Sequence, residues 1–271
     1  MPLPIFKESN YGALFVKYFG FEEEGAYPEE YNERDEEGER YNEYYRSDGS
    51  VECAHEYQRG GNTENDQYVE DGEIASPKFR IDRRLQFRQF VRENGTPVYT
   101  NRTAGTHVHV SFNNALAFQK CCDVQFYKLF RKEVYRFMHN GLFCEKTVKE
   151  FDDRFNGTYS TYCRDGFAPD SSINGIMRTK NGDPFNTDVS NHHGRYNCIN
   201  FESFRKFGTI ECRMFPASSN SEEIIAMVEF WIEFVQNYLN TVSPYERANI
   251  EKVSIDDNEE TTNEETIISC V

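Results

Sequence analysis

The stretch Thr-Ala-Gly-Thr-His-Val-His-Val-Ser-Phe, which begins at residue 103, constrains the fold of this chain more than any other. His107, His109 and Ser111 occupy every second position, and valines stand between them, which is the period of a β-strand. Successive side chains of a strand point to opposite faces, so the two histidines and the serine share one face and the valines share the other. The alternation predicts a sheet with an apolar core side and a polar working side.

Two further stretches place charged side chains at every second position. Phe-Gly-Phe-Glu-Glu-Glu puts Glu22 and Glu24 on one face of a strand, and Thr-Ile-Glu-Cys-Arg-Met-Phe does the same for Glu211 and Arg213. Taken alone, each pair also fits a strand face that is exposed to solvent. If the three strands share a sheet, these groups converge on one surface. Carboxylates with an imidazole suit Mg²⁺ or Mn²⁺, and an arginine suits a phosphate.

Five motifs carry a resemblance to a known superfamily. Gly-Thr-His-Val-His-Val-Ser resembles the G-x-H-x-H-x-S strand of glutamine synthetases and glutamate-cysteine ligases, and Phe-Gly-Phe-Glu-Glu-Glu resembles their opening F-G-x-E-x-E. Three more segments resemble the small amidoligase branch of that superfamily: Asp-Gly-Glu-Ile-Ala-Ser-Pro from residue 71, Gly-Arg-Tyr-Asn-Cys-Ile-Asn from residue 194, and Gly-Thr-Ile-Glu-Cys-Arg-Met-Phe from residue 208. All five follow the family's order, which makes the chain similar to these carboxylate–amine ligases.

The resemblance implies a fold and an activity. The fold is α+β: a curved antiparallel sheet like the catalytic fold of glutamine synthetase, with helices at 114–140 and 221–240 on its convex face. The activity is ATP-dependent formation of an amide or isopeptide bond through an acyl phosphate. ATP and Mg²⁺ or Mn²⁺ are the implied cofactors. The implied substrates are a carboxylate and an amine, carried by small molecules, peptides or proteins.

The resemblance also implies roles for individual residues of this sequence. The positions that match metal ligands are Glu22, Glu24, Glu73, His107 and Glu211. The positions that match groups around the nucleotide are His109, Ser111, Arg195 and Arg213. Catalytic roles are expected for Glu73, Arg195 and Arg213. Asp48 matches an aspartate that the small amidoligases carry in a D-x-S/D-G-S element, but it also fits an ordinary turn. Cys212 departs from the family pattern, which has an aromatic residue there.

Three other functions stay open from the sequence. The superfamily includes guanidino kinases, so a phosphotransferase that forms no amide is one alternative. A degenerate relative that binds a nucleotide or a partner as a scaffold is another, although such a scaffold has no need of the full charged set. A zinc hydrolase built on the His-x-His strand is the third. Many carboxylate partners and an arginine fit Mg²⁺ and phosphate better than a histidine-rich zinc site.

The charge of the chain is concentrated in two segments. Of a net charge of −16, residues 22–43 carry eleven acids against two arginines, and residues 251–265 carry seven acids against one lysine. We expect a single catalytic domain at residues 1–245, with an acidic insertion at about 25–47 and an acidic, disordered tail at 246–271. An acidic surface argues against non-specific binding to nucleic acid.

The sequence also indicates a compartment. It has no run of 18 apolar residues and no signal-peptide core at its start, and its eight cysteines form no Cys-x-x-Cys pair. We therefore expect a cytoplasmic protein with reduced thiols and no membrane contact. The asparagine- and tyrosine-rich composition and the compact length suggest a phage or mobile-element origin, and a phage-encoded protein would act in the host cytoplasm.

Two arginine-bearing segments received an interpretation of their own. Residues 80–93 have the apolar period of a helix with a basic stripe, which consists of Arg83, Arg84, Arg88 and Arg92. The stripe is interpreted as a solvent-exposed face, with a nucleotide or an acidic partner as the alternative that could use it. Residues 152–193 have little periodicity and are interpreted as a long functional loop. Its arginines, placed to fold over a nucleotide, are Arg154, Arg164 and Arg178.

Overall fold

The computed structural model describes residues 15–34, 42–59, 68–94, 96–113, 115–156 and 196–241. The strands within these ranges are β1 (Val16–Pro28), β2 (Tyr45–Ser47), β3 (Val69–Ala75), β4 (Phe79–Arg80), β5 (Gly105–Phe112), β6 (Ile199–Asn200) and β7 (Thr209–Pro216). They form one open antiparallel sheet in the order β2-β3-β1-β5-β7-β6, and β4 pairs with the first part of β1. The long strand β1 is central, so the first glutamate motif lies between the histidine strand and β3.

The helices complete an α+β fold, as the sequence predicts. They are α1 (Cys53–Arg59), α2 (Arg84–Asn94), α3 (Ala115–Cys121), α4 (Val124–Met138), α5 (Glu145–Phe155), α6 (Ser203–Phe207) and α7 (Ser221–Leu239), with a 3₁₀ turn at Glu29–Tyr31. Helix α7 contacts β1 and β5 on one side and α2, α3 and α4 on the other. It has a broad apolar face, and most of its residues are buried. Helices therefore cover one face of the curved sheet.

The covered face of the sheet forms the hydrophobic core. Val108 and Val110 of β5 are fully buried in it, which confirms the alternation expected for the histidine strand. Phe87 of α2 packs edge-on against Phe19 and Phe21 of β1, with ring centroids 5.2 and 5.8 Å apart. Burying one such side chain contributes roughly 1.5–3 kcal/mol. Packing of this kind fixes which face of each strand looks away from the helices.

Only part of the basic stripe faces solvent: Arg83 and Arg92 are exposed, but Arg84 and Arg88 are partly buried, so the interpretation as an exposed face was wrong for these two. Three of the arginines pair with glutamates of α7 through Arg84–Glu233 at 2.9 Å, Arg88–Glu229 at 2.7 Å and Arg92–Glu222 at 2.8 Å. The Arg92–Glu222 pair is exposed, where such pairs contribute about 0–1 kcal/mol. These pairs hold α2 against α7. Leu85, whose apolar side chain belongs to the period of this helix, is exposed.

The helix predicted at 114–140 is two helices, α3 and α4. The backbone of Asp123 is extended, and its carboxylate accepts a hydrogen bond from the Gln125 amide at 2.7 Å. This is an N-cap, and it begins a new helix because it satisfies an amide that has no intrahelical partner. Helix α2 likewise begins later than predicted, at Arg84, because residues 79–80 pair with β1 as β4.

Other segment boundaries also differ from expectation. The predicted acidic insertion overlaps the sheet at both ends, since β1 continues to Pro28 and β2 occupies Tyr45–Ser47; residues 35–41 lie outside the described ranges. The predicted loop at 152–193 begins inside α5, and residues 157–195 lie outside the description, as do the tail from residue 242 and the segment before residue 15.

Two findings concern the cysteines and the length of the apolar helices. Six cysteines fall within the described ranges, and all six are free thiols. No helix in the described part of the chain is long and apolar enough to cross a membrane.

Candidate functional site

The face of the sheet opposite the hydrophobic core gathers the predicted charged residues, and α1 packs at the edge of this face against β1 and β3. Across the β1–β5 ladder, Glu22 lies opposite His107. Across the β1–β3 ladder, Glu24 lies opposite Glu73. Across the β5–β7 ladder, His109 lies opposite Glu211. Residues paired in this way point to the same face, so the three dyads expected from the sequence form one surface.

A first ligand set consists of Glu22, His107 and Glu211. One ligand atom from each lies within 4.8 Å of the others, a spacing that fits a shared metal ion. His107 Nδ1 lies 3.4 Å from Glu22 Oε2 and 3.8 Å from Glu211 Oε1. Asn200 of β6 donates to the second oxygen, Glu211 Oε2, at 2.6 Å, which fixes the orientation of that carboxylate.

A second ligand set consists of Glu24, Asp48 and Glu73, again with ligand atoms within 4.8 Å of one another. Asp48 is indeed in a turn, because its Oδ1 accepts hydrogen bonds from the amide and hydroxyl of Ser50, both at 2.8 Å. The same turn places the Asp48 carboxyl group in this set, so Asp48 is both a turn residue and a candidate ligand. Glu24 Oε2 accepts the Gly105 amide at 2.7 Å, and Glu24 Oε1 lies 3.6 Å from His107 Nδ1.

The electrostatics of the two sets show an excess of negative charge. Burial, together with the charges of Glu22, Glu24 and Asp48, raises the pKa of Glu73 to about 8. Burial also opposes ionisation of Glu22, but hydrogen bonds and charges from His107 and His109 outweigh it and lower the Glu22 pKa well below its usual value. A site in which one carboxyl group holds its proton near neutral pH is a site that would gain from a bound cation.

Arg213 is buried beside the first ligand set and donates to Glu211 Oε1 at 2.5 Å. Burial lowers the Arg213 pKa, but the Glu211 and Glu24 carboxylates outweigh that effect and raise it above its usual value. The same charge, with those of the two histidines, overcomes burial and lowers the Glu211 pKa. Arg213 therefore carries a permanent positive charge within a cluster of carboxylates. A phosphate would bind this guanidinium by displacing Glu211 or by sharing the guanidinium with it.

His109 and Ser111 lie further along β5. His109 Nε2 is 3.6 Å from Glu22 Oε1, and its Nδ1 lies 3.0 Å from Thr209 Oγ1, so the ring is placed behind Glu22. Ser111 is half-buried, and its hydroxyl donates to the Tyr18 carbonyl at 3.5 Å. Neither residue lines the cavity described next, and their contact with nucleotide phosphates stays a prediction. Arg195 lies outside the described residues.

A cavity of about 190 Å³ opens between the two sets. Its lining is mostly charged and consists of Glu22, Glu24, Asp48, Ser50, Glu73, His107, Tyr196 and Arg213. The sequence analysis did not single out Ser50 or Tyr196, although both fall inside quoted motifs. Asn200 closes the G-R-Y motif in the same way and was also passed over. These three were within reach of the sequence, because the motifs that contain them had already been recognised.

The donor atoms fit divalent ions of the Mg²⁺ and Mn²⁺ type. Five carboxylates and one imidazole are available, and hard cations of this size take oxygen ligands with an occasional nitrogen. No cysteine takes part in either set, and one histidine contributes, so the composition differs from that of structural zinc sites.

An open antiparallel sheet with two acidic ligand sets on the face opposite its core defines the class of the protein, an α+β fold with a candidate metal-dependent site. The family model described as "Putative amidoligase enzyme" matches residues 11–235, and the chain belongs to this family. That membership makes it an enzyme of the ligase type. Neither the curated proteins nor the solved structures contain a significant match to the chain.

Proposed function

We propose that this protein is an ATP-dependent carboxylate–amine ligase that requires Mg²⁺ or Mn²⁺. The observation that carries the proposal is the presence of two candidate ligand sets and a buried arginine around one cavity. A reaction that moves a phosphoryl group concentrates negative charge on oxygen atoms, and cations arranged in advance are the main means of stabilising it.

Amide formation in water is uphill, so the carboxylate needs activation. A substrate carboxylate oxygen attacks the γ-phosphorus of ATP, the bond to the β-phosphate oxygen breaks, and ADP leaves. The amine nitrogen then attacks the acyl carbon of the resulting acyl phosphate, inorganic phosphate leaves with the bonding electrons, and the nitrogen loses a proton. The net products are an amide, ADP and phosphate.

The side chains divide this work. Glu22, His107 and Glu211 would hold one divalent ion, and Glu24, Asp48 and Glu73 the other. Ions held there supply positive charge next to the transferred phosphoryl group. Arg213 binds phosphoryl oxygens with two donors at once, which a guanidinium does better than an ammonium. His109, Ser111 and Arg195 are proposed to contact the nucleotide phosphates, as the family resemblance implies.

The decisive experiment is ATP turnover against panels of carboxylates and amines, with mass spectrometry of the products and Mg²⁺ or Mn²⁺ present. We expect ADP, phosphate and a product whose mass equals the two substrates less one water. Release of AMP and pyrophosphate would exclude the acyl-phosphate route. A phosphorylated guanidino compound without amide would identify a phosphotransferase, and nucleotide binding without any turnover would identify a scaffold.

A further inference from the structure

The last turn of α5 carries an arginine that the proposed reaction does not use. Arg154 is only 3% exposed, although it was expected to lie in a loop over the nucleotide. Its hydrogen bonds go to two main-chain carbonyls rather than to a carboxylate. Removing a guanidinium from water is costly, so a side chain retained in this position calls for an explanation.

The two carbonyls belong to the polypeptide on both sides of a break in the sheet. Arg154 Nη2 donates to the Ala104 carbonyl just before β5, and Nη1 donates to the Arg213 carbonyl in β7 at 3.4 Å. The register between β5 and β7 shifts at this point, between Thr106 and Val108. Ladder hydrogen bonds are interrupted at such a bulge. The planar guanidinium adds a connection there, beside the backbone hydrogen bond from the Ala217 amide to the Ala104 carbonyl at 3.3 Å.

Each bridged carbonyl stands next to a ligand set. Ala104 directly precedes Gly105, whose amide donates to Glu24 Oε2 at 2.7 Å in the second set. Arg213 carries the guanidinium that pairs with Glu211 Oε1 at 2.5 Å in the first set. A single side chain from α5 therefore holds the backbone behind a carboxylate of each set.

The space around this bridge is fully used. A β-carbon on Gly105 would lie 2.9 Å from His107 Nε2, closer than real contacts allow, and 3.1 Å from Arg154 Nη1, tighter than most real contacts. The glycine of the histidine motif is thus required by close packing between a metal-ligand candidate and the bridging guanidinium. Any side chain at this position would push one of them away.

The other end of α5 is held by α7. Glu223 of α7 accepts hydrogen bonds from the Cys144 amide and the Thr147 hydroxyl, both at 2.7 Å. Glu223 also accepts from the Ser218 hydroxyl at 2.6 Å, and Ser218 follows Ala217, whose amide donates to the bridged Ala104 carbonyl. The Thr147 hydroxyl, which shares no partner with Arg154, is therefore the contact whose removal loosens α5 without touching the bridge.

We propose that Arg154 is a positioning residue that sets the separation and orientation of both ligand sets by bridging β5 and β7. The proposal rests on the proposed function, because it assumes that the two sets bind divalent ions. Arg154 acts through Gly105 and Arg213 and does not line the cavity itself. A lysine retains the charge but lacks the planar fork that reaches two carbonyls in a fixed geometry.

The test is Mn²⁺ binding to the full chain, followed by electron paramagnetic resonance without ATP, so that ligand geometry is read separately from turnover. For Arg154→Lys we expect a circular dichroism spectrum like that of the wild type and about a 10–100-fold weaker affinity for at least one Mn²⁺, the usual effect of disturbing groups behind metal ligands. Gly105→Ala, which retains Arg154 but crowds it against His107, should weaken Mn²⁺ binding in the same direction.

The matched control is Thr147→Val, which should lower the melting temperature while changing Mn²⁺ affinity by less than about threefold, because Thr147 lies about two turns of α5 from Arg154 and shares no partner with it. If Thr147→Val weakens Mn²⁺ binding as much as Arg154→Lys does, general loosening explains the effect and the proposal fails. It fails as well if folded Arg154→Lys, or Gly105→Ala where Arg154→Lys does not fold, binds Mn²⁺ as the wild type does. A wild-type protein that binds no Mn²⁺ overturns the metal-dependent function itself, a separate outcome.

Discussion

Glu22 and Glu23 are neighbours in β1, yet their carboxyl groups lie on opposite faces of the sheet and their pKa values shift in opposite directions. Burial raises the pKa of Glu23 well above its usual value, whereas the two histidines overcome burial and lower that of Glu22. Glu23 Oε2 lies 2.6 Å from Thr106 Oγ1, which is also 3.0 Å from the Pro216 carbonyl. A hydroxyl has one proton to donate, so a protonated Glu23 that donates to Thr106 satisfies the whole chain of groups.

This contrast predicts different outcomes for one substitution at adjacent positions. Glu24→Gln removes a charged ligand from the second set, and we expect turnover to fall by about a hundredfold or more. Glu211→Gln should act similarly on the first set. Glu23→Gln is the matched control, since glutamine can accept from the Ser218 amide and donate to Thr106 as a neutral glutamic acid does. Steady-state turnover at saturating Mg²⁺ measures all three. Near-normal turnover in Glu24→Gln would show that the second set is not a metal site.

Arg213→Lys is expected to lose most activity while substrate binding weakens less. Losing one preorganised contact to a phosphoryl group commonly costs on the order of 3 kcal/mol, or about a hundredfold in rate. Separate measurement of kcat and KM tests this. Arg88→Lys is the control. Arg88 makes a bidentate ion pair with Glu229 between α2 and α7, and neither residue lines the cavity. Less than about a fivefold fall in kcat for Arg213→Lys would mean that the residue only pairs with Glu211.

The raised pKa of Glu73 predicts how the stability of the metal-free protein depends on pH. Because folding raises this pKa from 4.5 to about 8, the group contributes stability that is present below pH 4.5 and is lost as the pH rises toward 8. The loss approaches roughly 1.4 kcal/mol per pH unit within that window. Melting temperatures in EDTA should therefore decline from pH 5 to 8 more steeply for the wild type than for Glu73→Gln.

Added Mg²⁺ or Mn²⁺ should reverse that decline, since an ion that binds the folded state stabilises it. The reversal should grow with pH, because the ion competes with the proton on Glu73. Equal slopes for the wild type and Glu73→Gln in EDTA would show that other groups govern the pH dependence.

Deleting residues 250–271 is expected to leave fold and activity unchanged. The family match ends at residue 235 and α7 ends at Leu239, and the deleted segment has acidic composition without apolar periodicity. Thermal unfolding and ATP turnover of the truncated chain test this expectation. A fall in melting temperature beyond about 4 °C, which corresponds to roughly 1 kcal/mol for a chain of this size, would show that the tail packs on the domain.

The strand faces could be predicted from the sequence because the β period is two and leaves no freedom in assigning faces. Which side chains form one ligand set depends on the register between neighbouring strands. The two-residue period of a single strand does not determine that register. Glu22 could join His107 or Glu73 until the pairing of β1 with its two neighbours is known. The family motifs name the ligands but do not say which site each of the two glutamates joins, and the structure places Glu22 with His107 and Glu24 with Glu73.

Other features needed tertiary structure or a closer reading. A stripe of arginines has the same pattern whether it meets water or a stripe of glutamates, and only the packing of α2 on α7 decides between them. The break before α4 was readable, because Asp123 precedes an apolar helical run as an N-cap does. The sequence did not indicate the bridging contacts of Arg154, because they depend on the bulge between two strands that are distant in sequence.

The central strand β1 fixes the distance between two candidate metal ligands. Glu22 and Glu24 stand two residues apart on one extended backbone, so their α-carbons are held about 7 Å from each other whatever happens at the rim of the sheet. Loops at either end of β1 can lengthen without altering that interval. Inserting or deleting one residue between them would turn Glu24 toward the core and bring Gly25 to the face of the site. Relatives that share this chemistry should therefore vary in length almost anywhere except within this interval.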